Sequence, residues 1–412
     1  MNLHKISTAV AAACLGLAAS STALAASDVS QKGGHLKFKS DDGNFAARIG
    51  GRIMADYAFI SDDRDLDGNG SEFRRARLFF KGKLYKAWAF KAQYEFAGDA
   101  VEIKDLYLRY TGWKPVTLTI GNHKMPFGLE ELTSSKYITF MERSAPNDIF
   151  AVGRQNGVTL TTRGQRWTLA GAVHMQGIDN NNAGGDESLG YGARFTLAPM
   201  ADTSRVLHLG AAYHNWQYAD DFSGSYADAR NRARPEIHMI NTRPYDTTIA
   251  SARSASTLGL EAATVFGPLS LQGEYFTKTL SSDVAGASDV DLTGYYVYAS
   301  YFLTGESRNY KAKKGAFGRV KPASVVGKGG SGAWELGVRY SSVDLYDGTT
   351  RSNPGISAQG EEGNIVTVGL NWYATANIRF MANYVNATVK YPGTANGDDK
   401  ISSVQFRGQI DF

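Results

Sequence analysis

Strict two-residue alternation, sustained from one end of a long chain to the other, constrains this sequence more than any other feature. In "FAARIGGRIMADYAF" one parity reads Phe45, Ala47, Ile49, Gly51, Ile53, Ala55, Tyr57 and Phe59, and the other Arg48, Gly50, Arg52, Met54 and Asp56. Successive side chains of a strand point to opposite faces, so this segment is a strand with one greasy face and one charged face. The split recurs in "AWAFKAQYEF", where Trp88, Phe90, Ala92, Tyr94 and Phe96 oppose Lys91, Gln93 and Glu95. In "SVQFRGQIDF", Val404, Phe406, Ile410 and Phe412 oppose Gln405, Arg407, Gln409 and Asp411, the form typical of an outer-membrane strand.

The same template marks strands near 45–60, 72–85, 87–97, 102–111, 115–124, 155–163, 166–176 and 189–198. It continues at 205–217, 257–266, 268–279, 290–303, 333–345, 364–374, 376–390 and 401–412. Brief joins such as "TGWKP", "RGQR" and "FGP" interleave with long ones at 61–71, 125–154, 177–188, 218–256 and 346–363. Short turns at one end and long loops at the other are the pattern of a membrane barrel. A soluble two-sheet sandwich also alternates, but seldom holds so many strands in one unit.

The first residues fit export. Lys5 precedes an apolar run from Ile6 to Leu24, and Ala23-Leu24-Ala25 forms an A-x-A cleavage site. Cys14, the sole cysteine, lies within that run, so no disulfide stabilises the mature chain. Beyond it, no segment reaches the roughly 18 consecutive apolar residues of a membrane helix. The expected architecture is therefore an all-β transmembrane antiparallel barrel of about sixteen strands with inward-folded loops, in the bacterial outer membrane. Residues 1–25 form a signal peptide, 26–44, including "HLKFK", a periplasmic extension, and 45–412 the barrel.

If the greasy parity meets lipid, the other lines the lumen. That puts Arg48, Arg52, Arg75, Arg77, Lys81, Lys83, Lys91, Arg109, Arg163, Arg166, Arg194, Lys278, Arg339, Arg379 and Arg407 inside. Asp56, Glu95, Asp105, Glu261, Glu274, Glu335 and Asp411 share the face, so bases outnumber acids by about two to one. The chain's formal charge of only +4 conceals this excess. A low-dielectric wall of one sign concentrates the opposite ion, and Arg presents a planar fork that matches two phosphate oxygens. In "SEFRRARLFFKGKL", Arg74 has the wrong parity for the lumen and is expected at the strand's loop end, reaching over the rim. The segment 305–332 carries Arg308, Lys311, Lys313, Lys314, Arg319, Lys321 and Lys328 where a short turn is due, and reads as a basic flap at the inner mouth.

Five stretches carry a family resemblance: "GGRIMADYAF", "SEFRRARLFFKGKL", "FKAQYEFA", "IGNHKMPFGLEELTSSKYITFMERS" and "TGESRNYKAKKGAFGRVKP". They resemble the phosphate-selective porins O and P. The resemblance implies a trimer of sixteen-stranded barrels passing inorganic phosphate or a related anion down its gradient, with no cofactor and no enzymatic step. It puts ladder arginines at Arg74 and Arg75, and phosphate-binding lysines at Lys91, Lys136, Lys311 and Lys321, with Lys313 and Lys314 as competitors for the last two. Asp105 corresponds to an acid that tempers the site, and "ARNRARPE", with Arg230, Arg232 and Arg234, is the candidate for a further supplying loop.

Other motifs lead elsewhere only on paper. "DDRDLDGNGSEFR" imitates a calcium loop, but its twelfth position is Arg74, where a bidentate glutamate is needed. Neither HExxH nor GxSxG is present, and "GKGGSG" lacks a βαβ context. No metal is called for, and export argues against nucleic acid as a partner. A polyphosphate or general anion pore, and from another class a surface-binding β-protein, remain alternatives.

Overall fold

The computed structural model describes residues 28–32, 35–63, 68–178, 186–220, 226–347, 352–358, 362–391 and 397–412. The signal-like residues 1–25, and Asp65 and Asp67 of the calcium-like loop, lie outside the described residues.

Sixteen antiparallel strands form one closed sheet. The first eight are β1 Phe45–Asp62, β2 Gly68–Leu84, β3 Trp88–Glu95, β4 Glu102–Tyr110, β5 Thr117–Lys124, β6 Arg154–Arg163, β7 Trp167–His174 and β8 Leu189–Ala201. The rest are β9 Arg205–Gln217, β10 Ala252–Phe266, β11 Leu269–Ser282, β12 Val290–Phe302, β13 Ala333–Asp344, β14 Glu362–Tyr373, β15 Ile378–Lys390 and β16 Asp399–Asp411. Each expected strand has a counterpart, and β10 starts earlier than expected. The last strand returns to the first, from Ile401↔Asp62 to Asp411↔Arg52, which removes every free edge from the wall. Ahead of β1, Asp28–Lys32 and His35–Lys39 form a hairpin whose second strand pairs with residues 46–49 of β1.

Alternation sorts the side chains as the sequence requires. Ile49, Ile53, Tyr57 and Phe59 are exposed on the outer face, whereas Arg52, Met54 and Asp56 are buried inside. Trp88, Trp113, Trp167, Trp334 and Trp372 all lie at the short-turn end, where amphipathic rings suit a membrane boundary.

At β2 the alternation breaks. Met54 pairs with Arg75 and Ala55 with Phe73, leaving Arg74 as the extra residue of a β-bulge. Phe73 stays outside, 66% exposed, while Arg74 is turned inward. Arg74 therefore does not reach over the rim; the bulge gives it a lumenal position that a two-residue count excludes.

The lumen is filled unevenly. Outer segments 125–153 and 226–251 fold in from one end, and 303–332 from the other. Phe127, Phe140, Phe150, Ile237 and Tyr245 of the outer loops pack against Phe276, Tyr296, Tyr298, Val343 and Val385 of the wall. Gly337 and Gly369 are paired across β13 and β14, and a Cβ on either would stand 3.2 or 3.1 Å from the Phe140 ring. Glycine at both positions is what seats that ring.

Candidate functional site

The segment 125–153 narrows the pore and is fixed from several sides. Within it, α1 Leu129–Leu132 begins with two free N–H groups, and Glu274 of the opposite wall accepts both, from Leu129 at 2.6 Å and Glu130 at 2.8 Å. A second short helix, α2 Ala145–Phe150, is capped by Ser144, whose Oγ accepts from Asn147. Glu130 ties the two helices together by accepting from the Ser144 amide at 3.0 Å and its hydroxyl at 2.9 Å. Glu142 accepts a bidentate pair from Arg74, both at 2.8 Å, and a third bond from Arg407 at 2.8 Å. Burial would raise the Glu142 pKa, but the two guanidinium groups win and hold it well below the usual carboxylate range.

Between this segment and β1–β6 lies a cavity of about 630 Å³. Arg48, Arg52, Arg75, Arg77, Lys81, Lys91, Lys104, Arg109, Lys124, Lys136, Arg143, Arg154 and Lys314 line it. Against these thirteen bases stands one carboxylate in the lining, Asp105. Ser134, Ser135, Tyr107 and Tyr137 add hydroxyl groups.

Several of the bases are pinned by acids. Asp105 bonds Lys91 and, at 2.7 Å, Arg154. Glu131 binds Lys124 at 2.6 Å and Arg143 at 3.2 Å; burial opposes its ionisation, but those two cations hold its pKa at about 2. Glu95 pairs with Arg77 and sits 3.8 Å from Arg75. Lys136 reaches Asp411 at 3.0 Å, and Arg319 of the inner segment binds the same carboxylate. Burial lowers the Lys136 pKa, an effect Asp411 only partly offsets. Arg52 instead donates to Ser135 at 2.8 Å, and Arg109 to Thr119 at 3.0 Å. Hydroxyl partners leave the positive charge of a guanidinium uncancelled.

The structure thus brings Arg48, Arg52, Arg75, Arg77, Lys81, Lys91, Arg109 and Lys136 together with Asp105 around one cavity. Four expectations are corrected. Lys311 and Lys321 are exposed and outside the lining; the 3₁₀ turn Ala312–Lys314 delivers Lys314 instead. Lys83 is exposed and lines a separate cleft near the N-terminal hairpin with Lys37 and Lys39. Arg166 sits exposed at a turn and donates to the Pro199 carbonyl. Arg230 is bound by Asp246, and neither it, Arg232 nor Arg234 reaches the cavity.

Parity also hid four contributors. Lys104 is the extra residue of a second bulge, between Gln93↔Asp105 and Tyr94↔Ile103. Arg154 opens β6 and turns in toward Asp105, and Arg143 and Lys314 come from loops whose path no periodicity encodes.

A closed sixteen-stranded barrel with an apolar outer band, inward loops and a cation-lined passage is an outer-membrane channel rather than an enzyme. Residues 47–412 match the family model described as phosphate-selective porin O and P, and the chain belongs to that family. It is 29% identical to Porin O of Pseudomonas aeruginosa, covering 96% of this chain and 97% of that one. It is 32% identical to an uncharacterized protein of Caulobacter vibrioides, over 92% of this chain and 76% of the other. Among solved structures, the outer membrane channel DcaP of Acinetobacter baumannii shares the fold with a TM-score of 0.55 at 12% identity, covering 91% of this chain and 99% of that one. The trimer form of OmpT, an outer membrane protein of Vibrio cholerae, gives 0.53 at 9% identity over 89% and 99%.

Proposed function

We propose that the chain forms a passive, anion-selective pore for inorganic phosphate or a closely related anion, assembled as a homotrimer after removal of residues 1–25. The carrying observation is the cavity between the inward loop and β1–β6, where thirteen basic side chains face one carboxylate. An entering anion exchanges part of its hydration shell for guanidinium, ammonium and hydroxyl donors. Arg52, Arg75 and Arg77 supply forks on the wall, and Lys91 and Lys136 supply weaker, acid-shared positions. Asp105 and Asp411 keep those two lysines from holding the ion too firmly, since conduction needs release as much as binding. Arg74, held by Glu142, orders the constriction rather than meeting the ion directly.

Single-channel current in planar bilayers tests the reading. In chloride the current should be anion-selective, and added phosphate should reduce it in a saturable way. A cation-preferring current indifferent to phosphate would exclude the proposal. Native mass spectrometry in detergent tests the trimer.

A further inference from the structure

One uncharged residue stands at the centre of the cavity's free cations. Phe79 is buried in the wall of β2 and lines the cavity. The Arg48 guanidinium lies 5.5 Å from its ring centroid, Lys81 Nζ 5.5 Å and Lys91 Nζ 5.8 Å. Three like charges this close repel one another, so something must hold them. A carboxylate would do so but would cancel one of them. The negative face of an aromatic ring attracts cations without removing net charge. Lys91 also has Asp105, whereas Arg48 and Lys81 form no ion pair with an acid among the described residues.

The surroundings are shaped for that ring. Gly50 faces Phe79 across the β1–β2 ladder, and a Cβ at Gly50 would stand 2.7 Å from Phe79 Cζ. His35 of the N-terminal hairpin meets the ring edge-on, with centroids 5.9 Å apart at 64°. Burial, reinforced by Arg48, lowers the His35 pKa to about 4, so it packs as a neutral group and adds no further positive charge near neutral pH.

We infer that Phe79 is a positioning residue of the anion site, gathering Arg48, Lys81 and Lys91 so that their donors converge on a multiply charged oxyanion such as phosphate. This rests on the anion-pore reading. Phosphate inhibition of chloride current is measured for the wild type, Phe79→Leu and Phe79→Tyr. Leucine keeps burial and net charge but removes the ring. The expected result is an unchanged reversal potential in a chloride gradient with phosphate inhibition weakened about three- to tenfold. Tyrosine, which keeps the ring, should restore inhibition to within about twofold of wild type. Inhibition of Phe79→Leu equal to wild type, or of Phe79→Tyr as weak as the leucine variant, overturns the inference while leaving the pore reading intact. A wild-type current that phosphate does not alter removes both.

Discussion

The two halves of the lumen are walled by strands of the same kind and differ in what lies across from them. Opposite β1–β6 the space is open and its cations outnumber nearby acids. Opposite β9–β16 the outer loops fill the space with apolar side chains and bring acids against two of the wall's arginines. Arg339 is bound by Glu236 and Glu130, and Arg407 by Glu142 together with Asp56 of β1, while Arg194 of the neighbouring β8 is answered within the wall by Glu261 of β10 at 2.6 Å. Charge on a wall contributes to the field of a pore only where nothing facing it cancels it. The packed half gains order from its arginines, and under the proposed function the open half offers them to the ion.

Substitutions in each half should therefore read out differently. The largest effect is expected from Glu236→Ala in the packed half. Glu236 accepts from Arg339, Ser341, Thr367 and the Ala145 amide, and has a left-handed backbone (φ 62°) that those bonds hold. Its removal leaves Arg339 buried with only Glu130 as an acid partner, costing about 3–5 kcal/mol in denaturant unfolding. Phosphate inhibition should move by less than about twofold; a large change there would erase the distinction between the halves.

Next comes Lys136→Glu in the open half. It reverses a lining charge and sets two carboxylates together at Asp411, so phosphate inhibition should weaken by more than about tenfold. Unaltered inhibition would remove Lys136 from the site. A smaller effect of opposite sign is expected from Asp105→Asn. Freed Lys91 and Arg154 should hold phosphate roughly three- to fivefold more tightly, with lower phosphate current as release slows. Faster release would show that Asp105 orients those cations rather than tempering them.

The mildest prediction concerns pH. Because burial lowers the Lys136 pKa, raising the pH toward the ordinary lysine value of about 10.4 discharges it before an ordinary lysine. Anion selectivity should fall over that window, and a Lys136→Arg variant, which stays charged, should lose less. Equal losses in both proteins would assign the titration to other groups.

The strands were legible because alternation is local: whichever way β1 or β16 packs, Ile53 and Arg52, or Ile410 and Arg407, must point to opposite sides. Bulges defeat the same arithmetic. One extra residue at Arg74 and another at Lys104 re-aim basic side chains, and the only trace in the hydrophobic pattern is a phase slip such as that of Phe73 against Leu78. Family resemblance picked out Lys91, Lys136 and Asp105, which all line the open cavity. It failed at Lys311 and Lys321, because the inner segment's fold, pinned by Arg194 on the Gly315 carbonyl at 2.8 Å and by Thr133 on the Phe317 amide at 3.3 Å, selects Lys314.

By itself the sequence determined a lipid-facing apolar surface, about sixteen spanning strands and an inward parity rich in arginine and lysine. Each follows from side-chain direction along a single strand. Only the tertiary structure decided which of those cations remain uncancelled. That depends on acids such as Glu130, Glu142 and Glu236, which loops carry across the lumen, and Coulomb pairing answers to distance in space rather than position along the chain.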